Sequence, residues 1–323
     1  DDFEEKHPET HKTIKTAIKI ANPEKFPLSV LTKEFIALEK KKLTTATCRR
    51  KEKHIQDFID YFNDPEIKEI TKRKCSDYAY SILKNKDPAN ETLRNNILDI
   101  GTLFSWAENR GYTEYNPFYR LKLPVGRKNA QDRKPWSDED IIKFFTSDFI
   151  NKNEFIATAI SLYTGMRLDE ICRLKHKDIF DDLFHIYEGK TKAASRVVPV
   201  HPVLKKIIVS NYSDEKDYIL KGLVSGGYDK KRSGNFSKRH GRTRKKLNFP
   251  NGVVFHTLRN TVITKLQNNL IPLYNIEQII GHKQKSVAFG VYSGGLAVKH
   301  LREIINGISY GNTIDNFVLN YKI

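Results

Sequence analysis

Apolar positions recur with two different periods along this chain. Between residues 28 and 123 the period is helical: Leu93, Ile97, Ile100, Phe104 and Ala107 follow one another at spacings of 4, 3, 4 and 3, which sets them on one helix face. The stretch "NRGYTEYNP" stops that helix. Upstream, "LEKKKLTTATCRRKEKHIQDFIDYF" carries Ile55, Phe58, Ile59 and Phe62 at helical spacing, with cations over the remaining surface. Residues 1–25 are polar and are expected to be a tail with at most one short helix. In "LKLPVGRKNAQDRKPWSDEDI" no apolar period survives, and Pro124, Gly126 and Pro135 predict an extended linker over 125–136. Ser137 followed by Asp138, Glu139 and Asp140 has the form of an N-cap with acids in the first turn, and it opens a second domain, 137–323. There "DDLFHIYEGKTKAASRVVPVHP" changes the period: Phe184, Ile186, Val197, Val198 and Val200 flank a polar turn, which predicts a β-hairpin. The expected fold class is mostly α with a small β-hairpin or sheet (α+β), in a helical domain of 26–124 and a mixed one of 137–323.

Charge adds a partner to this picture. The 323 residues carry a net charge of +17, which serves either solubility or a polyanion, and its distribution separates the two. From Lys221 to Lys246 ten Lys and Arg face one acid, Asp229, a bias too steep for an ordinary solvated loop. Phosphate binding is the natural use, with Lys230, Lys231, Arg232, Lys238, Arg239, Arg242 and Arg244 as candidate DNA contacts. Arg49, Arg50, Lys51 and Lys53 of the helical domain join them, although the simpler reading of an isolated run of that kind is a solvated helix face. A basic linker between two basic domains suggests a clamp closing on a duplex. No apolar run of eighteen residues and no signal segment occurs, so a soluble, cytoplasmic, nucleoid-associated protein is expected, with no membrane partner. Cys48, Cys75 and Cys172 lack any C-x-x-C spacing, which argues against structural zinc and a disulfide framework. Met166 is the only methionine, and the sequence is therefore expected to be part of a longer chain.

Candidate chemistry lies in the second domain. In "TAISLYTGMRLDEICRLKHKDIF", Thr164-Gly165 breaks a helical pattern just before Arg167. "VFHTLRNTVITKL" puts His256 and Arg259 three residues apart, neighbours on a helix surface. "IEQIIGHKQKSVAFGVYSGGL" adds His282 and, ten residues on, Tyr292. Each alone has a bland reading: a salt-bridging arginine, a generic H-x-x-R, a packed tyrosine. Together they are the parts needed to attack a phosphodiester. Two guanidiniums can grip non-bridging oxygens and hold transition-state charge, histidines can donate to those oxygens or take a proton, and a phenol can supply the nucleophile.

In this order and context, "TGMRLDEICRLKHKDI", "HTLRNTVITKL" and the Gly-His and Tyr positions resemble the tyrosine recombinases, specifically the phage-type integrases. The resemblance covers most of the chain. It implies a helical core-binding (SAM-like) domain over 26–124 and a catalytic domain over 137–323; the arm-type DNA-binding domain that many integrases carry in front is expected to be absent from these residues. It implies catalytic roles for Arg167, His256, Arg259, His282 and Tyr292, with Glu170 supporting the first arginine. Members place the tyrosine nine residues after that histidine, one fewer than here; Tyr310 is too distant to replace Tyr292, and Phe289 has no hydroxyl. A hairpin lysine that protonates the leaving 5′ oxygen is Lys190 or Lys192, with the strand register favouring Lys190 and leaving Lys192 as a phosphate contact. The implied reaction is strand cleavage and rejoining through a 3′-phosphotyrosyl bond, without metal, ATP or other cofactor. Implied partners are double-stranded DNA attachment sites, a homotetramer on DNA, and directionality or host accessory factors. The tail "LAVKHLREIINGISYGNTIDNFVLNYKI" offers Leu301, Ile304 and Ile305 on a helix face followed by a strand-like apolar end, to pack on a neighbour or fold back in cis. Two alternatives stand beside recombination of a mobile element: type IB topoisomerase-like relaxation, and a DNA-binding regulator in which Tyr292 merely packs.

Overall fold

In the computed structural model, residues 26–86, 88–123, 133–187, 195–282 and 296–321 are described. They fall into two compact units divided at residues 130 and 131.

The first unit is helical: α1 (Leu28–Glu39), α2 (Thr45–Tyr61), α3 (Lys72–Lys86) and α4 (Asn90–Asn109). The apolar stripe of α4, Leu93, Ile97, Ile100, Phe104 and Ala107, is buried as its period requires, against Ile55, Phe58 and Ile59 of α2. Phe58 is the centre of an edge-to-face cluster with Tyr78, Phe104 and Phe118, centroids 4.9, 6.1 and 5.6 Å away. Burying each such side chain stabilises the fold by roughly 1.5–3 kcal/mol. One polar clasp crosses the same interface. Asp99, 4% exposed, accepts from Arg50 Nε at 2.9 Å and Nη2 at 3.1 Å, and lies 2.9 Å from His54 Nδ1. Burial would raise the Asp99 pKa, but the His54 and Arg50 hydrogen bonds outweigh it and hold the carboxyl below its ordinary range.

The second unit begins with α5 (Asp138–Phe145), capped by Ser137 in a full capping box with Asp140. Trp136, one residue earlier and inside the segment the sequence predicts to be linker, is buried: its backbone N–H donates to Thr261 Oγ1 at 2.8 Å and its indole N–H to the Val254 carbonyl at 3.0 Å. The hub is α6 (Lys152–Thr164), buried from Glu154 to Thr164; a helix covered on every side needs no polar face. Around it lie α7 (Leu168–Arg173), α8 (Pro202–Ser210), α9 (Ser233–Lys246), α10 (Thr257–Asn268) and α11 (Leu273–Ile280).

Three strands, β1 (Ile179–Phe180), β2 (Leu183–Ile186) and β3 (Arg196–Pro199), form an antiparallel sheet in the order β1-β2-β3. The predicted hairpin is thus present, with one strand more than the sequence reading gave. Asp181 and Asp182, φ 53° and 55°, make the β1-β2 turn, the left-handed pair that a two-residue hairpin of type I′ requires and Asp tolerates. In β2 and β3, Phe184 pairs with Val198 and Ile186 with Arg196.

The chain ends in α12 (Val298–Asn306) and α13 (Asn312–Leu319). The strand-like end expected beyond α12 is therefore a helix: Ile314 and Val318, four residues apart, are buried on one face. It packs in cis, with Asp315 accepting from the Tyr163 hydroxyl and Tyr321 stacked on Phe155. Among the described residues no helix is long and apolar enough to cross a membrane.

Candidate active site

The end of α11 organises the site. Gly281 terminates the helix in the left-handed conformation, φ 67° and ψ 48°. Its N–H donates to the Gln278 carbonyl at 3.2 Å, and the His282 N–H to the Glu277 carbonyl at 2.9 Å. These two bonds are the Schellman pattern, and they leave the last carbonyls of the helix without backbone partners. Three guanidiniums take them in sequence. Arg196 donates from Nε to the Ile279 carbonyl at 2.8 Å, Arg259 from Nη2 to the Ile280 carbonyl, and Arg167 from Nη2 to the Gly281 carbonyl at 2.8 Å. The negative end of the helix dipole favours cations at this position. His282 follows at once, so its backbone is held where the three arginines meet.

Each arginine reaches the point from a different element. Gly165 ends α6 with φ 66°, which lets the chain reverse into α7 and makes Arg167 its N-cap residue. A Cβ at Gly165 would lie 3.3 Å from Ile280 Cγ2 and 3.4 Å from Val262 Cγ1, so glycine also permits the close approach of α10 and α11. The Gly165 carbonyl accepts from Arg259 Nη1 at 2.8 Å. His256 immediately precedes α10 and Arg259 sits in its first turn. Glu170, in the first turn of α7, reaches back to the Arg167 N–H at 2.9 Å and accepts Arg167 Nη1 at 2.8 Å. It also accepts Arg196 Nη1 at 3.1 Å and Nη2 at 3.0 Å.

Among the described residues, charge within this group does not balance: Arg167, Arg196 and Arg259 carry three positive charges against the one carboxylate of Glu170. Burial would raise the Glu170 pKa, but Arg196 first and then Arg167 hold it below the ordinary value. Arg259, 2% exposed, is pushed down to about 9, by burial first and then by Arg167 and Arg196. A guanidinium keeps its proton over the whole working range; the direction reflects burial first and the neighbouring positive charge second. His256 and His282 both open to solvent, yet both are shifted down. Partial desolvation is the first cause in each; Arg259, Arg133 and Arg167 follow for His256, and Arg259, Arg167, His256 and Arg196 for His282. An anion in front of these residues would oppose the part of these shifts that comes from the neighbouring cations.

The residues predicted from sequence therefore divide. Arg167, Glu170, His256, Arg259 and His282 come together. Lys190, Lys192 and Tyr292 lie outside the described residues. Arg196 was missed: it opens a strand whose neighbours are valines and looks there like a surface cation, yet its side chain is only 6% exposed. The signal available was its tight approach to Gly281, where a Cβ would lie 2.8 Å from Arg196 Nη1, but that pairing spans 85 positions of sequence.

The predicted DNA contacts divide as well. Lys51 is buried and pairs with Glu39 at 2.5 Å, and Arg50 clasps Asp99. Arg232 donates to the carbonyls of Cys172, Leu223 and Leu220 at 2.9, 2.7 and 2.9 Å and covers the Tyr218 ring at 3.6 Å. Arg244 donates to the Val253 carbonyl, and Arg239 to the fully buried Glu154 at 2.9 Å. These cations hold the fold together; Lys51 and Arg232 have little left for a partner. Arg49, Lys53, Lys230, Lys231, Lys238 and Arg242 are exposed.

A model of the phage integrase family matches residues 139–294, which span every residue of the arginine cluster. A tyrosine recombinase of Thermosipho africanus is 25% identical over 253 residues, covering 74% of this chain and 86% of that protein. Among solved structures, a lambda integrase tetramer bound to a Holliday junction matches with a TM-score of 0.64 at 15% identity, over 86% of this chain and 87% of that one. The Tn1549 transposon integrase in complex with a circular intermediate DNA matches with a TM-score of 0.65 at 19% identity, over 86% and 98%. Motifs, fold and relatives converge: residues 139–294 match the phage integrase family, and the chain shares the fold of the solved integrases.

Proposed function

We propose that this protein is a site-specific DNA recombinase of the integrase type, which cuts and rejoins strands through a 3′-phosphotyrosyl intermediate to integrate or excise a mobile element. The observation that carries this reading is the surplus of guanidinium charge around the end of α11, with His256 and His282 open to solvent beside it. A scissile phosphate set there is gripped by Arg167 and Arg259, whose charge-assisted donors hold the extra negative charge of the pentacoordinate transition state. The Tyr292 oxygen forms the new bond to phosphorus as the bond to the 5′ oxygen breaks. His256 or His282 takes the phenolic proton, and Lys190 gives a proton to the departing oxygen. A 5′ hydroxyl from a second duplex reverses the step and exchanges strands. The energy of the phosphodiester is kept in the protein bond throughout.

By likeness to the lambda integrase tetramer on a Holliday junction, four copies of this chain act on two duplexes, with directionality or host factors as further partners in the cytoplasm. Exposed Arg242, Lys238, Lys230, Lys231, Arg49 and Lys53 serve as phosphate contacts. The test is incubation with a nicked suicide duplex carrying an attachment site. The wild-type chain should become covalently attached through Tyr292, and Tyr292→Phe should bind the duplex yet form no adduct. Adduct formation by the Phe variant, or by neither protein, would sink the assignment. Exchange between two attachment-site duplexes, set against plasmid relaxation, separates recombination from simple unwinding.

A further inference from the structure

Arg196 is the one member of the arginine cluster without a place in that reaction. Its side chain is as buried as that of Glu170, each 6% exposed, and all three of its guanidinium nitrogens already donate to Glu170 or to the Ile279 carbonyl. It also bridges two parts that the chemistry needs fixed. Two donors meet both oxygens of Glu170, the carboxylate that holds the Arg167 side chain and backbone. The third meets the Ile279 carbonyl, one turn of chain before His282. Glu170 without Arg196 would be a buried carboxylate with half its partners, free to swing Arg167 with it. The Ile279 carbonyl would be an orphan at a helix end.

We infer that Arg196 is a positioning residue of the proposed recombinase site, a strut from β3 that fixes Arg167 through Glu170 and His282 through the end of α11. This rests on the recombinase reading only for its consequence in catalysis. A guanidinium is required because the task is planar and three-pointed: a fork onto a carboxylate and a third donor, on Nε, to a carbonyl. Lysine keeps the charge but cannot make both ends meet. Gly281 is part of the same fit, since a Cβ there would lie 2.8 Å from Arg196 Nη1 and 2.9 Å from Cζ.

The experiment compares the full chain with Arg196→Lys, Glu170→Gln and the double variant. Arg196→Lys should bind the suicide duplex with unchanged affinity and cleave it, at saturating DNA, roughly 100-fold more slowly, as expected for a small misplacement of a catalytic group. Combined with Glu170→Gln it should cost no more than the worse single change, because both act on one strut. The amides of Gly281 and His282 should exchange hydrogen faster in Arg196→Lys than in wild type. Wild-type cleavage, additive losses, or unaltered exchange at 281 and 282 would each overturn the inference, as would a rate loss that only follows a loss of folded protein in urea. If Arg196→Lys does not fold, Arg196→Gln serves in its place with the same expectations. Should the wild-type chain form no adduct at all, the recombinase reading fails, and the exchange measurement alone still decides whether Arg196 holds the turn.

Discussion

Each of the two units buries a carboxylate under an arginine beside a histidine, and only one of the two arrangements forms an active-site candidate. Asp99 in the first unit meets Arg50 and His54; Glu170 in the second meets Arg167 and Arg196, with His256 and His282 close by. The partners are of the same types, and both carboxyls are held below their ordinary pKa. What differs is the count of charge. Among the described residues Asp99 faces one guanidinium, which it neutralises, and the pair joins two helices. Glu170 stands against three guanidiniums, and the surplus is held in place by backbone carbonyls, which orient a cation without cancelling it. A buried ion pair is thus a structural clasp when it balances, and when it does not it leaves positive charge that an anion would satisfy.

The largest effect that would test this distinction is on the surplus itself. Arg259→Ala removes one transition-state donor and should slow cleavage of saturating duplex by about 100- to 1000-fold. Asp99→Ala should leave that rate at the wild-type value, and an equal loss there would erase the contrast. Its own effect should be on stability. Arg50 is half exposed and regains water when its partner goes, so the cost is about 1–3 kcal/mol, read as a lower urea midpoint.

Much of this was legible beforehand, and the reasons for success and failure are physical. The stripe from Leu93 to Ala107 and the Ser137 cap are local patterns, and local patterns survive folding. The arginine and histidine positions were legible through the order and context of motifs that resemble a known family; spacing alone placed only His256 and Arg259 as neighbours on one helix turn. Arg196 was not, because its partners come from α7 and the end of α11, and nothing within a few residues of "SRVVP" announces them. The basic run from 221 to 246 misled in the opposite direction. Its helix has a buried face of Phe236, His240 and Thr243, spaced 4 and 3, but only one of the three is strongly apolar, so the cations between them looked like a continuous binding surface. Arg232, Arg239 and Arg244 are instead tied to carbonyls and to Glu154. Trp136 shows the same limit, since a linker composition concealed a residue whose indole reaches Val254 across 118 positions.

Proton linkage gives an intermediate effect that discriminates the surplus cluster. His256 and His282 have folded pKa values below the unfolded value of about 6.5, as does His240, lowered by burial to about 3. A histidine shifted down is less protonated folded than unfolded, so stability is lost as pH falls below about 6.5. Glu170, also shifted down, adds a loss at lower pH, as its carboxyl protonates more readily in the unfolded chain. A bound polyanion should raise His256 and His282 again. Duplex binding should therefore take up protons near pH 6 and tighten as pH falls through that range. Calorimetry in two buffers of different ionisation enthalpy measures the uptake. Its absence would mean that the surplus charge does not face the bound phosphate.

The smallest expected effect separates cations by whether protein acceptors hold them. Arg232 and Arg242 lie ten residues apart in the same basic run, and a count of charge treats them alike. Arg232 has all its donor nitrogens on carbonyls, whereas Arg242 is exposed, with no partner for its guanidinium among the described residues. Counterion release depends on charges that reach phosphate, each contributing about 0.9 to the slope of log affinity against log salt. Arg242→Gln should therefore flatten that slope by about one unit and leave the urea midpoint unmoved. Arg232→Gln should do the reverse, keeping the slope and costing about 1–3 kcal/mol through the buried carbonyls it leaves unpaired. An equal change of slope in both variants would show that net charge alone governs binding, and that the difference between a held and a surplus cation has no consequence outside the active site.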